Sequence, residues 1–325
     1  MKNRKLLYIV ILISAAGFIN GQDLSGISGA FTDPGFGARP SAMGGAFTAV
    51  SNDVHSVIYN PAGLMNIDKK QALFSYRNQL GLIGYNYFAA AMPVDKRSAI
   101  GTGLIVSGDK AMREYTLQAS YARKFDLVST GVSLKLRYAS FGNNGISDGD
   151  YIIFEQDEIA QGRIDQVKGD AVGFGLDLGV KAMITEKLSF GVVCRDLLSP
   201  VYWDSHNDNA ENGTDGKYTE AIPAKILIGA AYGIGGSTLI AADYVPSLDR
   251  EVDNRMLAGI ESVLFNIVAL RAGTQTFFNN LKDEKYSFGL GLKVELMNDL
   301  TVNVDYTYQL EELANSQIFA LGLEF

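Results

Sequence analysis

Apolar residues recur at every second position, in blocks of about ten, from about residue 70 to the C-terminus. In residues 286–296 every even position is aliphatic or aromatic, and every odd position is Ser, Gly, Lys or Glu. Residues 300–309 and 319–325 repeat this pattern. Because successive side chains of a strand point to opposite faces, each block predicts a strand with one apolar face. Such strands are typical of transmembrane β-barrels, in which the apolar face contacts lipid.

The blocks predict fourteen strands, which is an even number as expected for a bacterial single-chain barrel. The predicted strands are residues 70–78, 81–93, 98–107, 113–124, 129–141, 169–183, 187–198, 222–233, 236–246, 253–264, 266–278, 284–296, 299–310 and 316–325. The predicted fold class is therefore all-β, a 14-stranded antiparallel transmembrane β-barrel.

The lengths of the connections support this count. If both chain ends face the periplasm, connections after even strands are periplasmic and short, and those after odd strands are extracellular. The two longest connections, 142–168 and 199–221, follow strands five and seven, and both are predicted to face the cell exterior. Apolar and polar residues also alternate along the strands of a soluble sandwich or solenoid, which is the alternative interpretation. Strands longer than the usual 5–6 residues, with aromatic residues near their ends, favour the membrane barrel.

The first 21 residues have the pattern of a secretory signal peptide. Lys2, Arg4 and Lys5 precede an apolar run over residues 6–13, and small residues follow, with cleavage expected near Gly21. An uncleaved anchor is the alternative interpretation. No later segment approaches the roughly 18 apolar residues of a spanning helix. A mature chain in a membrane would therefore have to span it as a closed barrel.

Residues 22–69 do not alternate and are rich in Gly, Ala and Ser. Asn60 and Pro61 form a turn signal, because proline fixes its own φ and disfavours the α region for the residue before it. We predict that residues 22–69 form a small hatch inside the lumen, ahead of a barrel at 70–325; an extension without lumen contact is the alternative. The predicted hatch and turn motif consists of Gly44, Gly45, Asn60, Pro61, Ala62 and Gly63.

Two runs in this segment, 37–49 and 59–64, with Asn52 and Asp53 between them, resemble the N-terminal signature of the PorV/PorQ family. That family lies within the FadL-like superfamily of outer-membrane proteins, and residues 270–273, 287–292 and 304–308 also fit it. The resemblance implies a fourteen-stranded barrel with an N-terminal hatch. It also implies a place in the cell outer membrane of a Gram-negative bacterium, in contact with outer-membrane lipid.

The resemblance leaves two functions open. PorV-like members serve the type IX secretion system, which implies secretion components or secreted cargo as protein partners. Long-chain FadL-like members carry hydrophobic molecules across the outer membrane, which implies passive transport of small hydrophobic molecules instead. The resemblance is closer to the first.

Charge and composition argue against several other classes of function. The formal net charge is -8 and becomes -11 once the predicted signal peptide leaves, because residues 1–21 hold three basic and no acidic residues. Such a surface does not favour nucleic acid as a partner. The chain has two histidines, His55 and His206, so we predict no enzyme site, cofactor or metal cluster. The oxygen-rich residues 204–215 lack the EF-hand spacing and are predicted to be a solvated loop, with a calcium site as the alternative.

The charged residues on the strands fall on the face opposite the apolar one. Lipid-facing charges would cost roughly 2–4 kcal/mol at the bilayer midplane, so these side chains are predicted to face the lumen. They are Lys135, Arg137, Asp177, Lys181, Lys293, Glu295 and Asp305. They either grip the hatch, line a water path, or pair with one another, and pairing is the favoured interpretation. Phe325 ends the last strand and is predicted to be the signal read by the outer-membrane assembly machinery; a simple lipid-facing anchor is the alternative.

Overall fold

The computed structural model describes residues 30–79, 81–109, 111–142, 168–206, 216–248, 254–278, 284–296, 299–312 and 314–325. Within these ranges the chain forms sixteen strands. They are β1 (Gln71–Gln79), β2 (Ile83–Asp95), β3 (Ser98–Gly108), β4 (Met112–Phe125), β5 (Val128–Phe141), β6 (Lys168–Met183), β7 (Leu188–Leu198), β8 (Pro200–His206), β9 (Gly216–Ala221), β10 (Lys225–Ile234), β11 (Thr238–Val245), β12 (Arg255–Leu264), β13 (Val268–Phe277), β14 (Lys285–Glu295), β15 (Thr301–Leu310) and β16 (Ser316–Glu324).

Fourteen of these strands, all except β8 and β9, close into an antiparallel barrel. Each pairs with its neighbours in chain order, β7 pairs with β10, and β1 pairs with β16 to complete the ring. Closure leaves no open edge in the ring, so backbone groups in the wall are paired. The predicted 14-stranded barrel is confirmed, and every predicted strand overlaps one barrel strand. No helix among the described residues has the length and apolarity to cross a membrane.

The two faces of the wall differ as the alternation predicts. On β16 the side chains of Phe319, Leu321 and Leu323 are exposed, whereas those of the alternate residues Ile318 and Ala320 are buried. Around the barrel, large apolar side chains cover the outside, and the inside carries small and polar side chains together with apolar ones that pack against residues 30–67. The outer face is therefore suited to lipid.

The connection 199–221, in which the sequence predicts no strand, contains two. The strands β8 and β9 form a hairpin here, and β8 also pairs with the first residues of β6, Lys168 to Gly173. The polar residues Asp204 and Lys217 gave this stretch the composition of a loop, although they form an ion pair across the hairpin. The tip of the hairpin, most of the connection 142–168 and the predicted signal peptide lie outside the described residues.

The strand β7 is interrupted near its end. Its pairing with β6 runs to Cys194 opposite Leu178 and resumes at Leu198 opposite Leu176. Three residues of β7, 195–197, thus stand against the single residue Asp177, which makes a bulge in the wall. Asp196 within it has a positive φ of 54°, and its N–H is capped by the Asp177 carboxylate at 2.8 Å.

Residues 30–67, called the N-terminal segment below, precede β1. They contain two short helices, α1 (Ala38–Ala42) and α2 (Ser56–Tyr59), and a 3₁₀ helix (Pro61–Asn66). Most of the segment is buried, and its apolar residues form one cluster with inward-facing residues of the strands. It therefore lies against the inward face of the wall.

Candidate functional site

The N-terminal segment touches the wall where the strands carry glycine. A Cβ at Gly273 of β13 would lie 2.1 Å from the backbone N of Gly44, and one at Gly259 of β12 would lie 2.5 Å from the Met43 carbonyl oxygen. On β7, a Cβ at Gly191 would lie 2.4 Å from the Thr48 carbonyl oxygen. These distances are too short for any side chain, so backbone packs directly on backbone.

On the side of the segment, two predicted motif residues, Gly44 and Gly45, must also be glycine. Both have positive φ, 64° and 84°, a conformation that residues with a Cβ rarely adopt. A Cβ at Gly44 would also lie 2.5 Å from the Thr274 carbonyl oxygen. The turn at Gly44 thus requires glycine for its conformation and for its contact with β13.

The predicted Asn60–Gly63 motif packs against β5 and β6. The Asn60 amide donates to the carbonyl oxygens of Thr48 at 2.9 Å and Val180 at 3.2 Å, and its oxygen accepts from the Ala62 N–H at 3.2 Å. A Cβ at Gly131 of β5 would lie 2.3 Å from that same Ala62 nitrogen. The motif therefore starts the 3₁₀ helix and attaches it to the wall.

Beside these residues, a Cβ at Gly63 would lie 2.4 Å from the Ser51 carbonyl oxygen. Pro61 approaches Gly131 equally closely. Five of the six predicted motif residues therefore lie in close contacts, in two groups at Gly44 and at Asn60, whereas Gly45 is required by its positive φ.

An ion-pair network attaches the segment to the opposite part of the wall. Arg39 contacts Asp53 at 2.6 Å within the segment and Glu261 of β12 at 2.7 Å. Arg271 of β13 bridges Glu261 and Asp305, each at 2.6 Å. The predicted lumen charge Asp305 thus belongs to this network, and its partners Arg39, Glu261 and Arg271 were not predicted.

The Asp53 carboxylate is held ionised in this network. Burial alone would raise the pKa of Asp53, but His55 and Arg39 outweigh burial and hold it well below its usual range. His55 is itself buried, with Nδ1 2.9 Å from an Asp53 oxygen. His55 therefore has a structural partner, and it lies in a different part of the fold from His206 at the end of β8.

Wall side chains bind the backbone of the segment at four further places that the sequence did not reveal. The Asp243 carboxylate accepts from the N–H groups of Phe47 and Thr48 at 3.0 and 2.9 Å. Gln118 donates to Val57 O at 2.6 Å, Ser189 to Ala49 O at 3.0 Å, and Thr307 to Ala38 O at 2.7 Å. Alternation indicates that such residues face inward, but not which backbone atoms they bind.

The remaining predicted lumen charges separate into three groups. Lys181 donates to two carbonyl oxygens of the segment. Lys135 contacts Asp177 at 2.8 Å, and Asp196 in the β7 bulge contacts Lys135 at 3.0 Å and Arg137 at 2.6 Å. Asp196 was missed because the bulge turns it inward, against the alternation.

The third group is the pair Lys293 and Glu295, which are exposed at the end of β14 and have no ion pair among the described residues. At the nearby chain end, Phe325 exchanges two backbone hydrogen bonds with Lys70, at 2.9 and 3.0 Å. Within the described residues, no three His, Cys, Asp or Glu side chains are placed to hold a metal ion.

A cavity remains between the start of the segment and strands β3, β4, β5 and β7. Its lining is mixed: Phe31, Phe36 and Ile105 are apolar, whereas Asp33, Arg137 and Arg195 are charged. Arg195 contacts Asp33 at 3.0 Å and donates to Tyr59 O at 3.0 Å. The cavity lies directly beside the β7 bulge, because Arg195 and Asp196 form part of both.

A family model described as type IX secretion system membrane protein PorP/SprF matches residues 54–323. A search of curated proteins found no match to the sequence. Among solved structures, the chain is similar to the CymD monoaromatic hydrocarbon channel, with a TM-score of 0.61 and 14% identity over 91% of this chain and 98% of that chain.

It is also similar to a Pseudomonas aeruginosa FadL homologue, with a TM-score of 0.59 and 14% identity over 87% and 96% of the two chains. The Ralstonia pickettii toluene transporter TbuX gives a TM-score of 0.58 and 13% identity over 89% and 97%. At these identities the likeness shows a common fold.

Proposed function

The chain belongs to the PorP/SprF family of type IX secretion system membrane proteins, and from this membership we propose that it binds protein partners or cargo of that system while its lumen stays closed. The predicted link to type IX secretion and to the Gram-negative outer membrane is confirmed by the family match and the barrel fold. The match does not confirm the PorV/PorQ family in particular, so cargo binding of the PorV kind is part of the proposal.

One observation supports the proposal that the lumen stays closed: the N-terminal segment is attached to strands on opposite sides of the ring. Met43 and Gly44 pack on β12 and β13, whereas Thr48 packs on β7 and Pro61 on β5. We therefore assign the segment as a hatch. Opening a path through the lumen would break many of these backbone contacts at once, as well as the Arg39–Glu261 pair.

A locked hatch tests this proposal. The Val57 Cγ1 lies 3.2 Å from the position of a Cβ at Gly103 on β3, which suits a disulfide from Val57→Cys to Gly103→Cys. The lock is made in a Cys194→Ser background, because Cys194 is the one native cysteine. Tagged protein is purified from native membranes with the lock oxidised or reduced, and co-purified proteins are identified.

Recovery of the same secretion components or cargo with the locked and the unlocked protein is the expected result, because the proposal needs no hatch movement. The Cys194→Ser parent is the matched control. Loss of these proteins only in the oxidised form would show that the hatch must move. Absence of any secretion component from all forms would contradict the proposed function.

Passive transport of a small hydrophobic molecule is the second candidate. The specific observation that favours it is the β7 bulge, which interrupts the wall next to the partly apolar cavity. Two of the similar structures are a monoaromatic hydrocarbon channel and a toluene transporter. Uptake of toluene by liposomes containing the protein, abolished when the lock is oxidised, would favour this candidate over partner binding.

A further inference from the structure

Three cations lie near the Asp33 carboxylate, and one of them, Arg195, also lines the cavity. Arg195 of β7, Lys225 of β10 and Arg255 of β12 lie at inward positions of their strands, and Arg195 contacts Asp33 at 3.0 Å. Lys225 and Arg195 are directly opposite each other in the β7–β10 pair. Lys225 and Arg255 are both within electrostatic reach of Asp33. Like charges opposite each other destabilise a strand pair, so this arrangement favours an additional anion.

The neighbouring carboxylates are already engaged. Asp177 and Asp196 balance Lys135 and Arg137. Glu114 accepts from the Phe31 N–H and from the Ser107 hydroxyl, both at 2.9 Å. These carboxylates are thus bound to other partners, although Asp196 also lies within electrostatic reach of Lys225.

Two buried donors in the lining of the cavity have no acceptor among the described residues. The Nε atoms of Arg137 and Arg195 are buried without a hydrogen-bond partner, in side chains that are both more than nine-tenths buried. Lys225 forms no side-chain hydrogen bond with the described residues, and Arg255 contacts the ring of Phe277. Buried donors without acceptors are costly, and guanidinium and ammonium groups together bind phosphate oxygens well.

We propose that Arg195, Lys225 and Arg255 form a binding site for a phosphate group, and that Asp33 of the hatch occupies this site as an internal competitor. A phosphate carries more charge and more acceptor oxygens than one carboxylate, so it satisfies these three cations better. Its binding displaces Asp33 and loosens the start of the hatch. The same chemistry is offered by inorganic phosphate and by a lipid phosphate group.

Isothermal titration calorimetry on the full-length mature barrel in detergent tests the site, with inorganic phosphate at constant ionic strength as the probe. Lys225→Gln should weaken binding about tenfold, because a charge-assisted contact is lost. Asp33→Asn should tighten binding by about tenfold, because the competitor is removed while the cations remain. If Asp33 had only a structural role, Asp33→Asn would not tighten phosphate binding while Lys225→Gln weakens it. Heat-modifiable migration on gels confirms that each variant is folded.

The matched control is Lys293→Gln, which removes another inward lysine at an exposed position far along β14 and should leave binding unchanged. A second series uses dihexanoyl phosphatidic acid. If this lipid binds and inorganic phosphate does not, and the variants rank in the same order of affinity, the result supports the site. It then also identifies a lipid as the molecule that supplies the phosphate group. The proposal is overturned if neither probe binds to the parent or to Asp33→Asn, or if Lys293→Gln weakens binding as much as Lys225→Gln.

Discussion

The ammonium group of Lys181 donates a hydrogen bond of 2.7 Å to the carbonyl oxygen of Ser51, which joins β6 to the N-terminal segment. A second bond of the same length reaches the Val50 carbonyl oxygen. Lys181 is buried and has no ion pair among the described residues. The two carbonyl groups are thus its hydrogen-bond acceptors, and the Ser51 carbonyl oxygen also accepts from the Asn66 amide at 3.2 Å.

Replacing Lys181 by methionine should loosen the hatch without unfolding the barrel. The change leaves the buried Val50 carbonyl oxygen without a donor, at a cost of roughly 1–3 kcal/mol, and leaves the Ser51 carbonyl oxygen with its 3.2 Å bond from the Asn66 amide. Hydrogen exchange of the backbone amides in residues 47–60 should become faster, while that of the barrel strands stays unchanged. Lys293→Met is the control, because Lys293 also points inward but is exposed. Unchanged exchange in residues 47–60 would show that Lys181 does not hold the segment.

Two wall glycines allow a matched test of the close contacts. At Gly273 an added Cβ would meet the backbone N of Gly44 at 2.1 Å, whereas at Gly322 of β16 the nearest atom would be 3.5 Å away. Gly273→Ala should therefore displace the hatch and raise conductance in planar bilayers. Gly322→Ala should leave conductance at the level of the unchanged protein. Equal conductance of all three proteins would argue against a hatch that closes the lumen through this contact.

The strands could be predicted from the sequence because their pattern is imposed locally. A residue such as Leu321 must face lipid and its neighbour Gly322 must not, whatever the rest of the chain does. The β7 bulge could not be predicted, because its position depends on how β8 takes over the pairing with β6. For this reason Asp196 was missed, although Lys135 and Arg137 beside it were assigned to the lumen.

The contacts of the N-terminal segment with the wall were predicted only as residue types. Gly44, Gly45 and Asn60 stood out because glycine and asparagine before proline restrict the backbone locally. Their partners in the wall, Gly273 for Gly44 and Val180 for Asn60, are 120 residues or more away along the chain, and no local pattern connects them. Carboxylates that bind backbone N–H groups look the same in a sequence as carboxylates that face water.

Stability of the hatch should fall in acid because of Asp53. The pKa of Asp53 is lower in the folded protein than in the unfolded chain, since His55 and Arg39 outweigh the effect of burial. Its contribution is therefore fully present above the unfolded value of about 4 and is lost as the pH falls below it. The thermal midpoint of Asp53→Asn should lie below that of the parent at pH 7. By calorimetry, this difference should persist at pH 5 and shrink between pH 4 and pH 2. A difference that is constant down to pH 2 would contradict this assignment.

Phe325 extends the hydrogen-bonded seam between β1 and β16 by one residue pair. Phe325 exchanges two backbone hydrogen bonds with Lys70, and the seam continues as the β1–β16 pair from Gln71 opposite Glu324 to Asn78 opposite Gln317. The Phe325 ring is 53% exposed on the outer face, in line with Leu323. One interpretation is that it is a lipid-facing anchor. The other is that it is a signal for the outer-membrane assembly machinery.

Deleting Phe325 separates these interpretations. The deletion removes one apolar side chain, worth roughly 1.5–3 kcal/mol of burial, and two hydrogen bonds, while the rest of the β1–β16 seam stays intact. A folded barrel should tolerate that loss. If Phe325 is the signal, pulse-labelled cells should instead accumulate unassembled protein in the periplasm, with little heat-modifiable barrel in the outer membrane. Leu321→Ala is the control, since it removes another outward apolar side chain of β16 but leaves the chain end intact, and it should assemble at the normal rate. Assembly of the deletion variant as fast as the Leu321→Ala protein would leave Phe325 as an anchor only.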